Sequence, residues 1–355
     1  MDHSAPVVAS RGSGERAPDL AGWSDTLLLA VALGYAAFIG LLTVTRGIPL
    51  TPDVALVAAG FAGVLLARRW DLFLREWTPF LVLFLAYELM RGLADDAGMP
   101  VHVADLVAVE RALFGGHLPT AVLQEWLRPS TGPDLLALAG TLVYLLHFPL
   151  PIVTGLILWF WRRALFHHYL VALILLCFAG FVTYLLFPAA PPWIAAQAGL
   201  LGSAPGEPLV IYLKRSTFVA LAGGIGLDGR AAYDLAFGSI NANPVAAVPS
   251  LHAAFPFLTF LVLRRAFGAI GWLAFAYFAF VSLTIVYTAD HYVIDVLAGV
   301  GYAVVAYLVM LRMAARRADA RLGRGLRDAQ QGRQQVPEEE AGDAGEGAQH
   351  QDLEA

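Results

Sequence analysis

A histidine and an aspartate spaced four residues apart, His291 and Asp295, open the last long apolar run of the chain, in HYVIDVLAG. In a helix this spacing places both side chains on one face, with Cβ atoms about 5–6 Å apart. A carboxylate beside an imidazole fixes its tautomer, raises its basicity and stabilises the cation formed in a reaction. The pair therefore suits a histidine that acts as a base or as a nucleophile.

A second histidine, His252, lies about forty residues earlier, in NANPVAAVPSLHAAFP at 241–256. Pro249 and Ser250 just before it are typical of the first turn of a helix. The unpaired backbone N–H groups and the positive dipole end of such a start favour an anion such as phosphate. Beside a bound phosphate, an imidazole could protonate the leaving group as a general acid.

The composition indicates which elements must hold these residues. Of the 355 residues, 58% are hydrophobic and only 14% are charged, and the mean hydropathy is +0.65. Soluble domains are about 45–50% apolar and about 25% charged, so this balance indicates a membrane protein. The single cysteine, Cys177, excludes an internal disulfide. The excess of Ala, Gly and Arg is typical of a bacterium with a GC-rich genome.

The apolar runs predict an all-α membrane protein of about eight spans, each near the ~20 residues that cross a bilayer. The polar ends, 1–25 and 314–355, predict disordered tails around a membrane domain at 26–313. The expected spans are 26–45, 53–67, 78–94, 134–161, 167–187, 250–264, 268–288 and 292–312.

The arginines predict the orientation of this multi-pass protein in the cell membrane. Short basic clusters occur in alternate connections, as expected of the cytoplasmic side, and place both termini there. These clusters lie at 68–75, 162–163, 264–265 and 312–317. The two long connections, about 95–133 and 188–249, and the join at 289–291 then face outward. His252, His291 and Asp295 are thereby predicted to meet at the extracytoplasmic face.

The two motifs resemble those of the type-2 phosphatidic acid phosphatase (PAP2) superfamily. The family's PSxH and HxxxD correspond to Pro249–His252 and to His291 with Asp295, and the likeness extends over about 78–312. PSLHAA and HYVIDVLAG are closest to the inositolphosphotransferase branch, typified by fungal inositol phosphorylceramide synthase. The resemblance implies that His291 attacks phosphorus, Asp295 orients it, His252 protonates the leaving oxygen and Ser250 holds phosphate. It implies no metal or other cofactor, because phosphoryl transfer depends mainly on positioning and charge stabilisation.

The sequence departs from the phosphatases where they carry cationic phosphate ligands. Their arginine six residues before the HxxxD histidine is replaced by Ile285, the glycine of PSGH by Leu251, and their lysine and arginine–proline motif is not evident. These departures favour the transferase branch. The candidates for the missing cations in the outward-facing segments are Arg91, Arg111, Arg128, Lys214, Arg215 and Arg230. Tyr87, one turn before Arg91, is a further candidate for substrate binding. Arg91 also fits an interfacial arginine that snorkels to the headgroups.

The leading hypothesis is a lipid phosphotransferase that moves a phosphoryl or phospho-polyol headgroup through a phosphohistidine, with membrane lipids as substrates. One alternative is a lipid phosphate or polyprenyl diphosphate phosphatase, in which water replaces the acceptor. Another is a transporter, although no internal repeat is evident. No basic nucleic-acid patch, nucleotide-binding motif or zinc-ligand spacing is found, and the oligomeric state is left open. His147, beside Pro149 and Pro151, is expected to hydrogen-bond at a helix kink, with a substrate role as the alternative.

Overall fold

The structure of the protein is a computed structural model. It describes residues 72, 75–79, 82–83, 98–131, 134–147, 149–201, 213–231, 233 and 244–334. The chain divides into two compact units, 1–86 and 87–355, and the helices below all belong to the second. Tyr87, Arg91 and most of the first three predicted spans lie outside the described residues.

The described residues are helical and contain no β-strand, which confirms the all-α prediction. The helices are α1 (Ala104–Leu113), α2 (Pro119–Leu127), α3 (Leu135–Leu146), α4 (Leu150–Trp161), α5 (Arg163–Leu186), α6 (Pro192–Gln197), α7 (Leu213–Gly224), α8 (Leu251–Phe267), α9 (Trp272–Tyr287) and α10 (Val293–Gln334). Within this part of the chain, three helical stretches are long and apolar enough to cross a membrane: Arg163–Leu186, Leu251–Tyr287 and Val293–Arg327. The second stretch comprises α8, α9 and the short turn between them. The count of eight spans stays a prediction.

The stretch predicted as one span at 134–161 is two helices, α3 and α4, separated at His147–Pro149. Pro149 and Pro151 explain the break, because proline has no N–H for a helical hydrogen bond and its ring clashes with the preceding turn. Asp134 caps the start of α3 by accepting a hydrogen bond from the Ala137 N–H at 2.8 Å. The break leaves His147 at the end of a helix rather than in the middle of a span.

Helices α8 and α9 form a tight antiparallel pair joined by a short 3₁₀ turn, Gly268–Gly271. At Gly271 a Cβ atom would lie 2.4 Å from the Cα of Arg264, so only glycine allows this approach. Helix α10 packs against both α8 and α5, and α9 packs against α3. Because α8 and α9 reverse direction, the start of α8 and the end of α9 lie at the same end of the helices.

Backbone hydrogen bonds join three connecting segments: the one before α1, the one after α5 and the one before α8. The His102 N–H donates to the Pro188 carbonyl at 2.8 Å, and the Ala189 N–H donates to the Val245 carbonyl at 2.7 Å. The Trp193 N–H, at the start of α6, donates to the Ala289 carbonyl at 3.2 Å. The long connections are thereby tied to the turn that precedes His291.

The arginine clusters at 162–163 and 264–265 lie together at the far end of α8. The Arg162 Nε donates to the Ala266 carbonyl at 3.1 Å, and its guanidinium carbon lies 5.3 Å from the centre of the Phe267 ring. With α8 about 25 Å long, these clusters are well separated from His252. This separation agrees with the sequence pattern, while the membrane side of each end stays a prediction.

Helix α10 continues to Gln334, beyond the predicted end of the last span at 312. The polar composition predicts a disordered tail from residue 314. The extension is rich in Ala and Arg, which are strong helix formers, and it contains no proline, whereas Gly323, Gly325 and Gly332 lower its helix propensity. Alanine and arginine favour this helix, and the disordered tail at 314–355 stays a prediction.

Candidate active site

The start of α8 is fixed on three sides. Ser250 is the residue before its first turn, and its backbone N–H donates to the Asp295 carbonyl of α10 at 3.0 Å. The Tyr184 hydroxyl of α5 donates to the Pro249 carbonyl at 2.7 Å. The Ser250 carbonyl accepts the Ala254 N–H at 3.0 Å, which begins the helical ladder. The position of His252 therefore depends on both α5 and α10.

Gly299 lets α10 approach α8 at this point. A Cβ atom on Gly299 would lie 2.3 Å from the Ser250 carbonyl oxygen, a separation that no side chain permits. The glycine stands one turn after Asp295 on the same helix. The close approach of the two backbones thus brings the PSLH and HYVID segments together.

His252, His291 and Asp295 form one hydrogen-bonded chain. The His291 Nδ1 lies 3.3 Å from Asp295 Oδ2, and the His291 Nε2 lies 3.1 Å from His252 Nδ1. Asp295 is 0% exposed and His291 is 5% exposed. A proton held on Nδ1 of His291 toward Asp295 leaves the Nε2 lone pair directed at His252. This is the arrangement of a base or nucleophile, its orienting carboxylate and a second imidazole.

Helix α3 supplies an aromatic wall for His252. The Tyr144 ring is stacked on the His252 ring at 4.5 Å between centroids and 24° between planes. The His147 ring lies 4.4 Å from the His252 ring, and it is also stacked on Phe255 at 5.1 Å. The structure therefore places His147 beside the paired histidines, whereas the sequence favoured a role confined to the kink. Neither of these contacts follows from the motifs.

The turn before His291 has an unusual backbone. Ala289 adopts a φ of +64°, which residues with a Cβ seldom adopt, and it is fully buried. The N–H groups of Asp290 and His291 both donate to the Ile285 carbonyl, at 2.9 and 3.2 Å. This turn directs the chain from the end of α9 into the start of α10, and it sets the position of the His291 backbone.

The position of the phosphatase arginine is part of the hydrophobic core. Ile285 is 1% exposed and belongs to a buried cluster with Tyr144, Ala253, Val281, Val286 and Val296. A cation at this position would need a polar partner inside an apolar cluster. The departure seen in the sequence is thus a packed apolar contact in the structure.

The other predicted binding residues are only partly described. Ser250 is 0% exposed, and its hydroxyl is buried with no hydrogen-bond partner among the described residues.

Arg215, in α7, lies with its guanidinium carbon 5.7 Å from the Tyr233 ring, and the Arg230 backbone N–H donates to Asp228. Both arginines are exposed. Lys214 lies in α7, and Arg91 and Tyr87 lie outside the described residues.

The described residues contain no group of three or more His, Cys, Asp or Glu side chains arranged to hold a metal ion. Three residues that contact the two motifs could not be assigned from the sequence. They are Tyr144, which stacks on His252, Gly299, and Glu110 of α1, whose carboxylate accepts hydrogen bonds from the Val293 and Ile294 N–H groups. Only Gly299 had a local signal, because it lies in the HYVIDVLAG segment. The other two lie far from both motifs along the chain.

Comparison with known proteins identifies the family. The model of the PAP2 superfamily matches residues 104–309, which include both histidines and most of the described helices. The chain belongs to the PAP2 superfamily. It is an enzyme of the phosphotransferase or phosphatase type found there, as the motifs indicated.

A curated relative within the PAP2 superfamily agrees with the branch that the motifs resemble. The chain is 32% identical over 243 residues to a phosphoinositol dihydroceramide synthase of Bacteroides thetaiotaomicron, covering 65% of this chain and 74% of the relative. No solved structure matches the chain. The resemblance to inositolphosphotransferases is thereby confirmed, and a lipid phosphotransferase is the activity consistent with both comparisons.

Proposed function

We propose that this enzyme transfers a phospho-polyol headgroup of the inositol phosphate type from a membrane phospholipid to the hydroxyl of a second lipid. The chain of hydrogen bonds from Asp295 through His291 to His252 carries the proposal. It contains an oriented nucleophile and, 3.1 Å away, an imidazole able to move a proton. The 32% identity to a phosphoinositol dihydroceramide synthase supports a long-chain lipid alcohol of the ceramide type as the acceptor.

In the first half-reaction, the Nε2 of His291 attacks phosphorus. An N–P bond forms, the bond from phosphorus to the lipid alcohol breaks, and His252 gives a proton to the departing oxygen. Asp295 stabilises the positive charge that develops on the His291 ring. The substrate phosphate takes the place of the hydrogen bond that joins the two histidines.

In the second half-reaction, the acceptor hydroxyl attacks the phosphohistidine. His252, now neutral, takes the hydroxyl proton, the new P–O bond forms and the N–P bond breaks. His252 ends the cycle protonated and His291 ends it neutral, as both began. If water replaces the lipid alcohol, the same steps release a phosphate monoester, so the acceptor alone separates a transferase from a hydrolase.

The start of α8 is the proposed binding site for the phosphate oxygens. No side chain among the described residues caps this helix, and the Ser250 hydroxyl is buried nearby without a partner in that part of the chain. The helix dipole and the hydroxyl together favour an anion. Arg91, Tyr87, Lys214, Arg215 and Arg230 remain the candidates for additional phosphate or headgroup contacts.

We place this site at the extracytoplasmic face of a protein with eight spans and cytoplasmic termini. The spacing of the apolar runs and the arginines in alternate connections support that topology. The three described stretches able to cross a membrane, and the separation of the arginine clusters from the histidines, agree with it. A lipid donor and a lipid acceptor could then both enter from the outer leaflet.

The test is a turnover assay with purified full-length protein in mixed micelles. Labelled phospholipids, including phosphatidylinositol, and polyprenyl phosphates are supplied with and without ceramide or dihydroceramide. A labelled phospho-polyol lipid that forms only with the acceptor supports the transferase. Release of a water-soluble phosphate ester at the same rate with and without acceptor establishes a hydrolase instead, and release of free phosphate establishes a phosphatase.

The phosphohistidine is tested separately by quenching the reaction in base, because phosphohistidine is labile in acid, and by mapping the phosphorylated peptide. His291→Ala should lose both turnover and the adduct, while His168→Ala should keep both. His168 is partly buried, and its Nδ1 contacts the Ala164 carbonyl one helical turn before it, at the end of α5 remote from His291. An adduct on another residue, or turnover by His291→Ala, contradicts the mechanism.

A further inference from the structure

A buried carboxylate outside both motifs contacts the helix that follows His291. Glu110, in α1, is 0% exposed. Its Oε1 accepts a hydrogen bond from the Val293 N–H at 2.8 Å, and its Oε2 accepts one from the Ile294 N–H at 3.2 Å. Val293 is the first residue of α10. Glu110 thus caps the start of the helix that carries Asp295, from a position 183 residues earlier in the chain.

The setting of Glu110 is energetically demanding. Burial raises the pKa of its carboxyl group, while the two backbone N–H donors act in the opposite direction. A buried carboxylate is stable only when hydrogen bonds and charge compensate for the lost water. Here the N–H groups and the positive end of the α10 dipole supply that compensation. The interaction therefore requires the carboxylate of Glu110 to remain within hydrogen-bond distance of the first N–H groups of α10.

Asp295, itself a residue of α10, also accepts a hydrogen bond from the backbone at the start of that helix. The Tyr292 N–H donates to Asp295 Oδ2 at 2.8 Å, and the same oxygen faces His291. Three successive N–H groups, of Tyr292, Val293 and Ile294, are thus satisfied by two carboxylates. Asp295 contacts the imidazole directly, and Glu110 holds the backbone on which both lie.

We propose that Glu110 is a positioning residue for the reaction: it fixes the first turn of α10 so that His291 stays aligned with Asp295 and with His252. This inference rests on the proposed function for its kinetic consequence. His291 lies two residues before Val293, so a shift of the first turn moves the imidazole with it. A misplacement of about 1 Å at a reacting group costs about 10²-fold in rate.

Asp134 is the matched control, because it is also a buried carboxylate at a helix start. It accepts the Ala137 N–H at 2.8 Å and the Tyr287 hydroxyl, but it caps α3 and not α10. Asp134→Asn removes a charge and weakens a cap of the same kind. If Glu110→Gln lowers kcat more than Asp134→Asn does at the same loss of thermal stability, the additional loss of kcat is due to the contact of Glu110 with the start of α10.

Three readouts on the full-length protein are compared for wild type, Glu110→Gln, Glu110→Asp and Asp134→Asn. They are kcat and KM for the labelled lipid, the midpoint of thermal denaturation in detergent, and the rate at which diethyl pyrocarbonate acylates His291, followed by mass spectrometry. The last readout needs no turnover. Glu110→Asp keeps the charge but shortens the side chain by one methylene, and it serves if Glu110→Gln does not fold.

For Glu110→Gln we expect kcat to fall about 10–100-fold with KM changed by less than about threefold. Acylation of His291 should become faster, since the imidazole no longer stays against His252. Asp134→Asn should change neither. A fall in kcat that Asp134→Asn matches at equal stability, or unchanged acylation of His291, overturns the proposal. If wild type turns over no lipid, the proposed function fails, and the acylation rates alone decide the role of Glu110.

Discussion

Two helix starts meet at the candidate site. The backbone N–H groups of one are capped by carboxylates, and those of the other have no side-chain cap among the described residues. At the start of α10, Glu110 and Asp295 accept hydrogen bonds from three successive N–H groups. At the start of α8, no described side chain forms a cap, and the Ser250 hydroxyl is buried without a partner in the described part of the chain. The start of α10 already holds two carboxylates, whereas the start of α8 is open to an anion of the substrate.

The difference explains how one site can hold both a nucleophile and an anion. Carboxylates at the α10 start favour positive charge on His291, which forms an N–P bond in the proposed reaction. The same carboxylates would repel a phosphate from that helix end. The α8 start lies beside it, joined by the Ser250 N–H to the Asp295 carbonyl at 3.0 Å, and has no carboxylate cap in the described residues. The phosphate is therefore expected at α8 and the charged imidazole at α10.

The largest effect is expected where the α10 start meets the imidazole. Asp295→Asn should lower kcat by about 10³–10⁴-fold, because an amide can hold His291 in the wrong tautomer and cannot stabilise its cation. The measurement is steady-state turnover of the labelled lipid, together with yield of the phosphohistidine.

The control for Asp295→Asn is Asp290→Asn in the preceding turn. Asp290 accepts a hydrogen bond from the Thr288 hydroxyl and is only partly buried. Asp290→Asn should retain turnover within about threefold, as is usual for the substitution of a partly exposed side chain. Equal losses in the two variants would mean that the turn as a whole, and not the carboxylate of Asp295, determines the rate.

The next effect tests the contact between the two helix starts. Gly299→Ala places a methyl group 2.3 Å from the Ser250 carbonyl, so α8 and α10 must separate. Overpacking of this kind costs about 1–3 kcal/mol of stability. We expect kcat to fall about 10²-fold as His252 moves away from His291.

Gly180→Ala is the matched control, because it also faces the start of α8. Its Cβ would lie 3.3 Å from the end of the Leu251 side chain, which can move, rather than against backbone. Stability and turnover should stay close to wild type. If the two alanine variants behave alike, close approach of the α8 and α10 backbones is not what aligns the histidines.

The motifs and the helices that carry them could be predicted from sequence, since they are local. The spacing of His291 and Asp295, the helix start at Ser250 and the end of α9 are all determined within a few residues. Glu110 could not be found this way, because its two partners lie 183 and 184 residues away and its own segment shows only an amphipathic pattern. The break between α3 and α4 is explained by prolines, but the contact of His147 with His252 depends on how α3 packs against α9 and α9 packs against α8. Local sequence patterns thus predict which catalytic side chains are present, whereas tertiary packing determines how those side chains are aligned.

A smaller effect is expected from the hydroxyl at the α8 start. Ser250→Ala removes a group that we expect to donate to a phosphate oxygen, and a hydrogen bond to a charged group contributes about 1.5–3 kcal/mol. We expect KM for the labelled lipid to rise about tenfold, with thermal stability unchanged, since the hydroxyl has no partner among the described residues. Ser282→Ala, which removes another buried hydroxyl of this kind in α9, should leave KM unchanged. A loss of thermal stability without a change in KM would assign Ser250 to packing.

The smallest effect is expected in the turn that leads into α10. Ala289 has a φ of +64°, a conformation that costs a residue with a Cβ about 1–2 kcal/mol and costs glycine little. Ala289→Gly should therefore raise the free energy of unfolding by up to about 1 kcal/mol, after the greater flexibility of glycine in the unfolded chain is subtracted. Turnover should stay within about twofold, because the hydrogen bonds of Asp290 and His291 to the Ile285 carbonyl still define the turn. Ala289→Val should instead destabilise the protein, since its branched side chain suits neither this φ nor a fully buried position. If Ala289→Gly lowers turnover while raising stability, the rigidity of the turn itself contributes to holding His291, in addition to the carboxylates at the start of α10.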